Sequence, residues 1–486
     1  MKRSILFIAF LLIIRGPAAL HARTHAVLSE ISARLNSNGI NDLFVSGDTV
    51  WVGSGGGLSY TADKGDTWLH YSREDGFGKG GVSAVAKRGA LIWVATAFDT
   101  LIRDAGNLPA GGGLSVSTDR GQTWRWMPQP RDSRDETRYK PTTTHVQNLT
   151  YDIAISRDHV WIASFGGGLR RSAVEDPDAA WEVVTVDGLP FAALDHLSHR
   201  AFSVHYDGQT VWVGTAGGIH KSTDEGENWT TFTHQNQPHG ISGNFVVALK
   251  SQKTASRDLL WAATVNALGE SEYRAVSVTE DGGLTWRVVL PGVFAHNFAV
   301  DDSIVYAATD EGLYKSIDAG ATWAVFPEYR AAATGRRLYA TGVHTAAADG
   351  ESGLWVGTSD GLAYSPDGFE WRIFQAYMSP GEDGTPATYA FPNPFSPLRH
   401  NRAGDDGHVR FQYRLVRDAA VTVRIYDFGM KRVRSLIEQA FRPPGDHAEA
   451  WNGRNDLGDM VANGVYFYRI DIPGRPPLWG KVMVVN

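Results

Sequence analysis

Short runs that are apolar at every position recur along this chain, each followed by a glycine-rich turn. Examples are Val50-Trp51-Val52-Gly53, Val211-Trp212-Val213-Gly214 and Val305-Tyr306-Ala307-Ala308. Strands exposed on one side alternate apolar with polar, so an unbroken apolar run predicts a strand covered on both faces. Aligned on their centres, the runs give seven units, at Trp51, Trp93, Trp161, Trp212, Trp261, Tyr306 and Trp355. A unit returning every ~40–50 residues predicts a propeller or a solenoid, not a domain with one core. The last unit shows the order compactly: Leu354-Trp355-Val356-Gly357, a turn at Ser359-Asp360-Gly361, Leu362-Ala363-Tyr364, then Trp371-Arg372-Ile373-Phe374. Four short strands per unit are the content of one propeller blade.

A second phrase returns in step with the first: Ser/Thr-x-Asp-x-Gly-x-Thr/Asn-Trp. Its fixed positions are Asp63, Gly65 and Trp68; Asp119, Gly121 and Trp124; Asp224, Gly226 and Trp229; Asp281, Gly283 and Trp286; and Asp318, Gly320 and Trp323. It is predicted to turn a hairpin. The Asp accepts backbone N–H groups, the Gly takes a backbone angle that a β-carbon disfavours, and the Trp folds back to bury roughly 2–3 kcal/mol of apolar surface. Two units depart. The third has Ser172 and Trp181 without the Asp-x-Gly, and the seventh, Ser365 to Trp371, is one residue short. A residue that recurs once per unit serves the repeat, so these aspartates are read as structural rather than catalytic.

After residue 377 the pattern changes. Residues 378–388 read as a Pro/Gly linker. Residues 389–486 then carry strands at 409–416, 420–427, 465–470 and 481–485, with a long turn at 451–458. That set predicts a small Ig-like sandwich. The fold class is therefore all-β: a seven-bladed β-propeller over 23–377, followed by a sandwich.

The quoted residues resemble known families. The aspartate phrase resembles the Asp-box repeat of sialidases, sortilin-type receptors and xyloglucanases, and the Val-Trp-Val-Gly strings are similar to the periplasmic propellers of bacterial sensors. The tail resembles the C-terminal sorting domain of the type IX secretion system and the Ig-like domain of the flagellar hook-capping protein. It does so through Pro392-Asn393-Pro394, Ile425-Tyr426-Asp427, Trp451-Asn452-Gly453-Arg454 and Gly464-Val465-Tyr466-Phe467-Tyr468. The resemblance implies that the tail engages secretion machinery. It also implies a secreted or outer-surface protein of a Gram-negative bacterium that passes through the periplasm.

Composition narrows the partners. Residues 1–22 have the order of a signal peptide: Lys2 and Arg3, an apolar stretch from Ile5 to Ile14, then small residues at Ala18, Ala19 and Ala22. No later run is apolar enough to span a bilayer. The formal net charge is −7, which argues against a nucleic-acid partner. The absence of cysteine excludes disulfides, thiolate metal sites and a Cys nucleophile. No cofactor and no metal site is expected.

Candidate ligand-binding residues fall on the face opposite the aspartate hairpins, where loops carry function on a rigid scaffold. Insertions are read at 97–113, with Asp99, Arg103 and Asp104, at 128–144, with Arg131, Arg138 and Tyr139, and at 266–274. His145, His199, His296 and His344 start innermost strands, so they are expected to meet at the mouth of the central channel. Tyr139 and Phe191 are expected to stack on sugars. The first reading is a binding propeller for a glycan or protein ligand. The alternatives are an Asp-box glycoside hydrolase, with carboxylates drawn from Asp99, Asp104, Asp195 and Glu270, and a structural or adhesion protein.

Overall fold

The computed structural model describes residues 24–26, 32–103, 105–131, 144–326, 328–332, 334–382 and 384–486. The segment read as a signal, 1–22, and the loop residues Asp104, Arg138 and Tyr139 lie outside the described residues.

Seven antiparallel sheets, each with four consecutive strands, follow one another, at 40–71, 81–127, 150–184, 201–232, 245–289, 295–325 and 343–374. The innermost strand of each packs against the next, and the last, Val343–Ala348, packs against the first, Ile40–Ser46, so the sheets form a closed β-propeller. The apolar second strand is covered on both sides, as its pattern requires: Trp51, Trp93, Trp161, Trp261 and Trp355 are fully buried.

Joints between sheets are aromatic. The second-strand Trp of one sheet meets the hairpin Trp of the next edge-on. Centroids are 6.3 Å apart for Trp51–Trp124, 5.6 Å for Trp93–Trp181, 6.2 Å for Trp161–Trp229, 5.9 Å for Trp261–Trp323 and 6.4 Å for Trp355–Trp68. Each pair adds about 0.5–1.5 kcal/mol beyond area burial. The Trp355–Trp68 joint closes the ring. The first and last sheets are each spun from one contiguous stretch and share no strand. Asn38 supports this joint, donating to the Ala376 carbonyl (3.2 Å) and accepting the Ala376 N–H (2.6 Å). The N-terminal strand Thr24–Ala26 joins the second sheet from outside, pairing with Thr123–Met127.

The aspartate hairpins share one geometry. Asp63 Oδ1 accepts the Thr61 hydroxyl (2.7 Å) and the Thr67 N–H (2.9 Å), while Oδ2 accepts the Thr67 hydroxyl (2.5 Å). Gly121 has φ +90°, and a β-carbon there would lie 2.6 Å from Trp51 of the preceding sheet. That position excludes a side chain for two independent reasons.

The stretch 97–113, read as a loop, is instead regular. Strands Leu91–Ile102 and Gly106–Ser117 run on past the sheet as one ribbon, with Asp99 opposite Pro109. The ladder continues through its glycines with one register shift, between Thr96 and Ala97, that skips Gly112. The ends of the second insertion are clamped by buried Asn148, whose Nδ2 donates to the carbonyls of Pro130 and Thr144, both at 2.9 Å.

Residues 388–484 fold as two sheets. Thr388–Phe391, Val409–Leu415 and Gly445–Trp451 form one. Arg432–Arg442, Ala419–Tyr426, Gly464–Asp471 and Leu478–Val484 form the other. They enclose a single core that includes Phe411, Trp451 and Tyr468. The strands over 432–442 and 445–451 were not foreseen; their many charged residues mask the alternation. This sandwich is docked on the last two sheets of the ring. Buried Arg410 forms a two-pronged ion pair with buried Asp360, which also accepts the Tyr339 N–H at 2.7 Å.

Candidate functional site

In each sheet the first strand runs from the face of the sheet-to-sheet connections toward the face of the aspartate hairpins. All seven first strands break register near their start. The pairing skips Asn41, Ser83, Tyr151, Phe202, Val247, His296 and His344. Each skip is a β-bulge, which leaves one residue unpaired and re-aims its side chain. All seven skipped residues line the central channel, of about 410 Å³. The bulges thus set a ring of seven dissimilar side chains around its mouth.

One arc of that ring is aromatic. Tyr151 and Phe202 are 5.3 Å apart, Phe202 and Phe245 4.3 Å, and Phe165 and Phe202 6.1 Å. Tyr151 is 39% exposed. Arg200 lies over Phe165 at 5.6 Å. The opposite arc is polar. His296 and His344 face each other at 6.0 Å. His344 Nδ1 donates to the Ile40 carbonyl (3.1 Å), and burial holds its pKa below the usual imidazole range. His296 Nε2 bonds Asp310 at 2.7 Å.

Below the mouth, each Asp42 oxygen accepts one N–H: its neighbour Leu43 at 2.9 Å, and Val85 of the next sheet at 2.8 Å. Asp152 repeats this with Ile153 (2.8 Å) and Val204 of the next sheet (2.9 Å). Asn297 accepts Ala346 in the same way at 3.3 Å. Val85, Val204 and Ala346 stand two residues past the bulges of their own strands; each is paired within its sheet, but these strands are the inner edge, so an N–H turned to the channel has no ladder partner. The carboxyls are enclosed by protein yet face the channel. Burial is the largest influence and raises Asp42 to about 6 and Asp152 to about 7. Lys250 lies in the same channel with its pKa lowered by burial, and its charge works against the carboxyl shifts. Among the described residues no direct ion pair joins the three, and no group of His, Asp and Glu is placed to hold a metal ion.

The structure separates the histidines expected to converge. His296 and His344 meet at the mouth. His145 does not: it stacks on Phe98 (6.2 Å) at the ribbon 91–117. Nor does His199, which is buried, bonds Asp187 at 2.9 Å and accepts the Ala192 N–H at 2.9 Å. Burial works to raise Asp187, but the hydrogen bonds from His199, Leu189 and Ser198 outweigh it and hold it at about 2. Phe191 stacks on His199 at 5.7 Å, so one face of that ring is occupied within the protein, away from the channel lining. Asp99 and Arg103 are exposed on the ribbon, away from the channel lining. Asp195 and Glu270 are exposed on separate loops. The loop 266–274 is pinned by Glu272, which accepts the N–H groups of Ala267 (2.6 Å) and Gly269 (3.2 Å).

Sequence reading missed Tyr151, Phe202, Asp42, Asp152 and Lys250. A signal was present: Asp42 and Asp152 interrupt apolar first strands at the same place in their sheets.

No family model and no curated protein matches the chain. Solved structures do. The GH74 xyloglucanase from Xanthomonas campestris superposes with TM-score 0.51 at 15% identity, over 80% of this chain and 59% of that one. The GH74 enzyme of Niastella koreensis gives 0.51 at 13%, over 95% and 74%. PorZ, an essential bacterial surface component of the type-IX secretion system of Porphyromonas gingivalis, gives 0.43 at 14%, over 90% and 64%. The chain thus spans less than two thirds of the length of the xyloglucanase and of PorZ. The likeness to PorZ is too loose to carry an argument. At these identities the GH74 enzymes show the fold and leave the substrate open: this chain has the β-propeller fold.

Proposed function

We propose that this chain is an exported binding propeller that takes a glycan or protein ligand at the mouth of its channel. The reading rests on one observation: seven bulges put an exposed aromatic arc opposite a pair of histidines on the connection-rich face. An aromatic face stacks on a sugar ring or a side chain, and imidazoles hydrogen-bond its polar edge. On this reading the aspartate hairpins are Asp-box turns. The C-terminal sandwich is an Ig-like sorting domain that delivers the protein to the outer surface after signal removal at about residue 22.

Screening soluble polysaccharides by calorimetry, with a glycan array in parallel, tests the mouth. Tyr151→Ala should weaken a detected ligand at least roughly tenfold. Unchanged affinity in that variant would remove the mouth from the proposal. For the tail, normal surface delivery of a chain lacking 389–486 would defeat the sorting role.

One observation favours a glycoside hydrolase as the second reading: Asp42 and Asp152 line one channel with raised pKa values, in a fold shared with GH74 enzymes. Glycoside hydrolysis uses such a pair of carboxyl groups. Turnover of xyloglucan that disappears in Asp152→Asn would establish it; its absence in the wild type would leave the binding role.

A further inference from the structure

The second inference concerns a different place, the cleft where the sandwich meets the ring, and does not depend on the channel mouth. Between the sixth and seventh sheets the chain makes a short ribbon, Tyr329–Arg330 paired with Arg337–Leu338. Arg330 stands directly opposite Arg337. Facing residues of an antiparallel pair project from the same side, with Cβ atoms about 5 Å apart, and like charges placed there destabilise the pairing. Both side chains are exposed. Neither has a carboxylate partner among the described residues. Arg337 rests on the Tyr339 ring at 4.3 Å, and Arg336 lies over the Tyr377 ring at 4.7 Å.

All three arginines line a junction cleft of about 600 Å³. Its other cations are already answered: Arg410 by Asp360, and Arg442 by Glu449 at 2.8 Å. So is its remaining carboxylate, Asp446, which accepts the Ser379 hydroxyl at 2.6 Å and lies near Arg34 and Arg414. The cleft therefore keeps a surplus of positive charge on a chain whose net charge is −7.

The facing wall presents Phe441, 66% exposed, beside Leu436 and Ile437, which are part-buried against the sandwich core. These belong to Arg432–Arg442, the outermost strand of its sheet. An edge strand is a surface on which an extended peptide can lie. An acidic sugar or a free phosphate would answer the arginines and leave this wall wet. An extended peptide alternating acidic with apolar residues answers both, because its side chains point alternately to opposite walls.

The geometry points to the cleft between the Arg330–Arg337 ribbon and the strand Arg432–Arg442 as a docking site for an extended acidic-apolar peptide segment. The test uses the full chain at low salt and a short fluorescein-labelled peptide of alternating glutamate and valine, read by anisotropy. Saturable binding is expected. It should weaken with added NaCl, fall at least roughly tenfold in Arg330→Glu, and fall in Phe441→Ser. Arg330→Glu also turns a like-charge pair into an opposite one, so its melting temperature should stay level or rise. A lysine–valine peptide should not bind. The proposal is overturned by absent binding of the glutamate–valine peptide or by binding that Arg330→Glu leaves intact. Heparin or pyrophosphate binding as tightly as the peptide, with Phe441→Ser without effect, would overturn the peptide assignment.

Discussion

The hairpin aspartates and the channel aspartates are the same chemical group shifted in opposite directions at the two ends of the ring. In the hairpins, Asp63, Asp224, Asp281 and Asp318 are held at about 2. At Asp63 and Asp281 burial works upward and is outweighed by hydroxyl and N–H donors. At Asp224 and Asp318 the largest influence is the donor side chain four residues on, Asn228 or Thr322. In the channel, Asp42 and Asp152 also accept two N–H groups each, yet stand at about 6 and 7. Donors alone therefore do not set the charge state. The hairpin carboxylates have more donors, including two hydroxyls at Asp63, whereas burial is the larger influence on the channel ones. The hairpin groups are built to stay ionised as joints. Burial brings the channel groups up toward neutral pH.

The largest expected effect tests whether the hairpin, rather than its charge, holds the joint. Gly121→Ala forces a β-carbon into a left-handed angle and against Trp51. It should cost about 3 kcal/mol, from backbone strain and overpacking together, read as a lower denaturation midpoint. A variant as stable as the wild type would show that the joint tolerates a reshaped turn.

The next sharpens the pH contrast. A carboxyl whose pKa is raised by folding keeps its proton in the native state after the unfolded chain has lost it. Stability should therefore decline as pH rises from about 4 to about 7 and level off above. Asp152→Asn should flatten that decline in urea titrations across the range. The hairpins carry the opposite sign: their contribution is full above about pH 4 and is lost as pH falls toward 2. Asp318→Asn should lessen the acid loss and leave the neutral limb alone. If Asp152→Asn changed only the acid limb, the contrast would fail.

The smallest effect concerns Tyr151→Ala. The side chain is part-exposed at the mouth, so unfolding free energy should change by no more than about 0.5 kcal/mol. A loss several times larger would make the aromatic arc a piece of the core.

What could be read from sequence divides along the same line. Asp63, Gly65 and Trp68 were legible because each unit repeats the phrase, and a repeated constraint leaves a repeated residue. The second-strand Trp residues were legible for the same reason. The mouth was not. A bulge inserts one residue without changing the apolar run around it, so nothing marks Asn41, Tyr151 or His344 as equivalent. Their side chains share no chemistry and share only a backbone event. His145 and His199 were placed at the mouth by their nearness to first strands. Their actual partners, Phe98 and Asp187, are set by the ribbon and by the turn before the fourth sheet. Arg410 and Asp360 were invisible as a pair because they are 50 residues apart in regions with different repeats.

Closure of the ring by Trp68 against Trp355, with no strand exchanged, imposes an order of events on a chain delivered from its N-terminus. Each sheet can zip as soon as its own stretch is out, because its four core strands are neighbours in sequence; only the second sheet adds a distant strand, Thr24–Ala26, on its outer edge. The outer flank of the first sheet nevertheless stays bare until residue 355 arrives. The final step in closing the ring is thus the docking of the youngest sheet on the oldest, across a seam that holds Leu35, Val52, Trp68, Trp355, Leu362 and Phe374. Whatever escorts the emerging protein has one oily seam to keep covered, and it is the same seam from beginning to end.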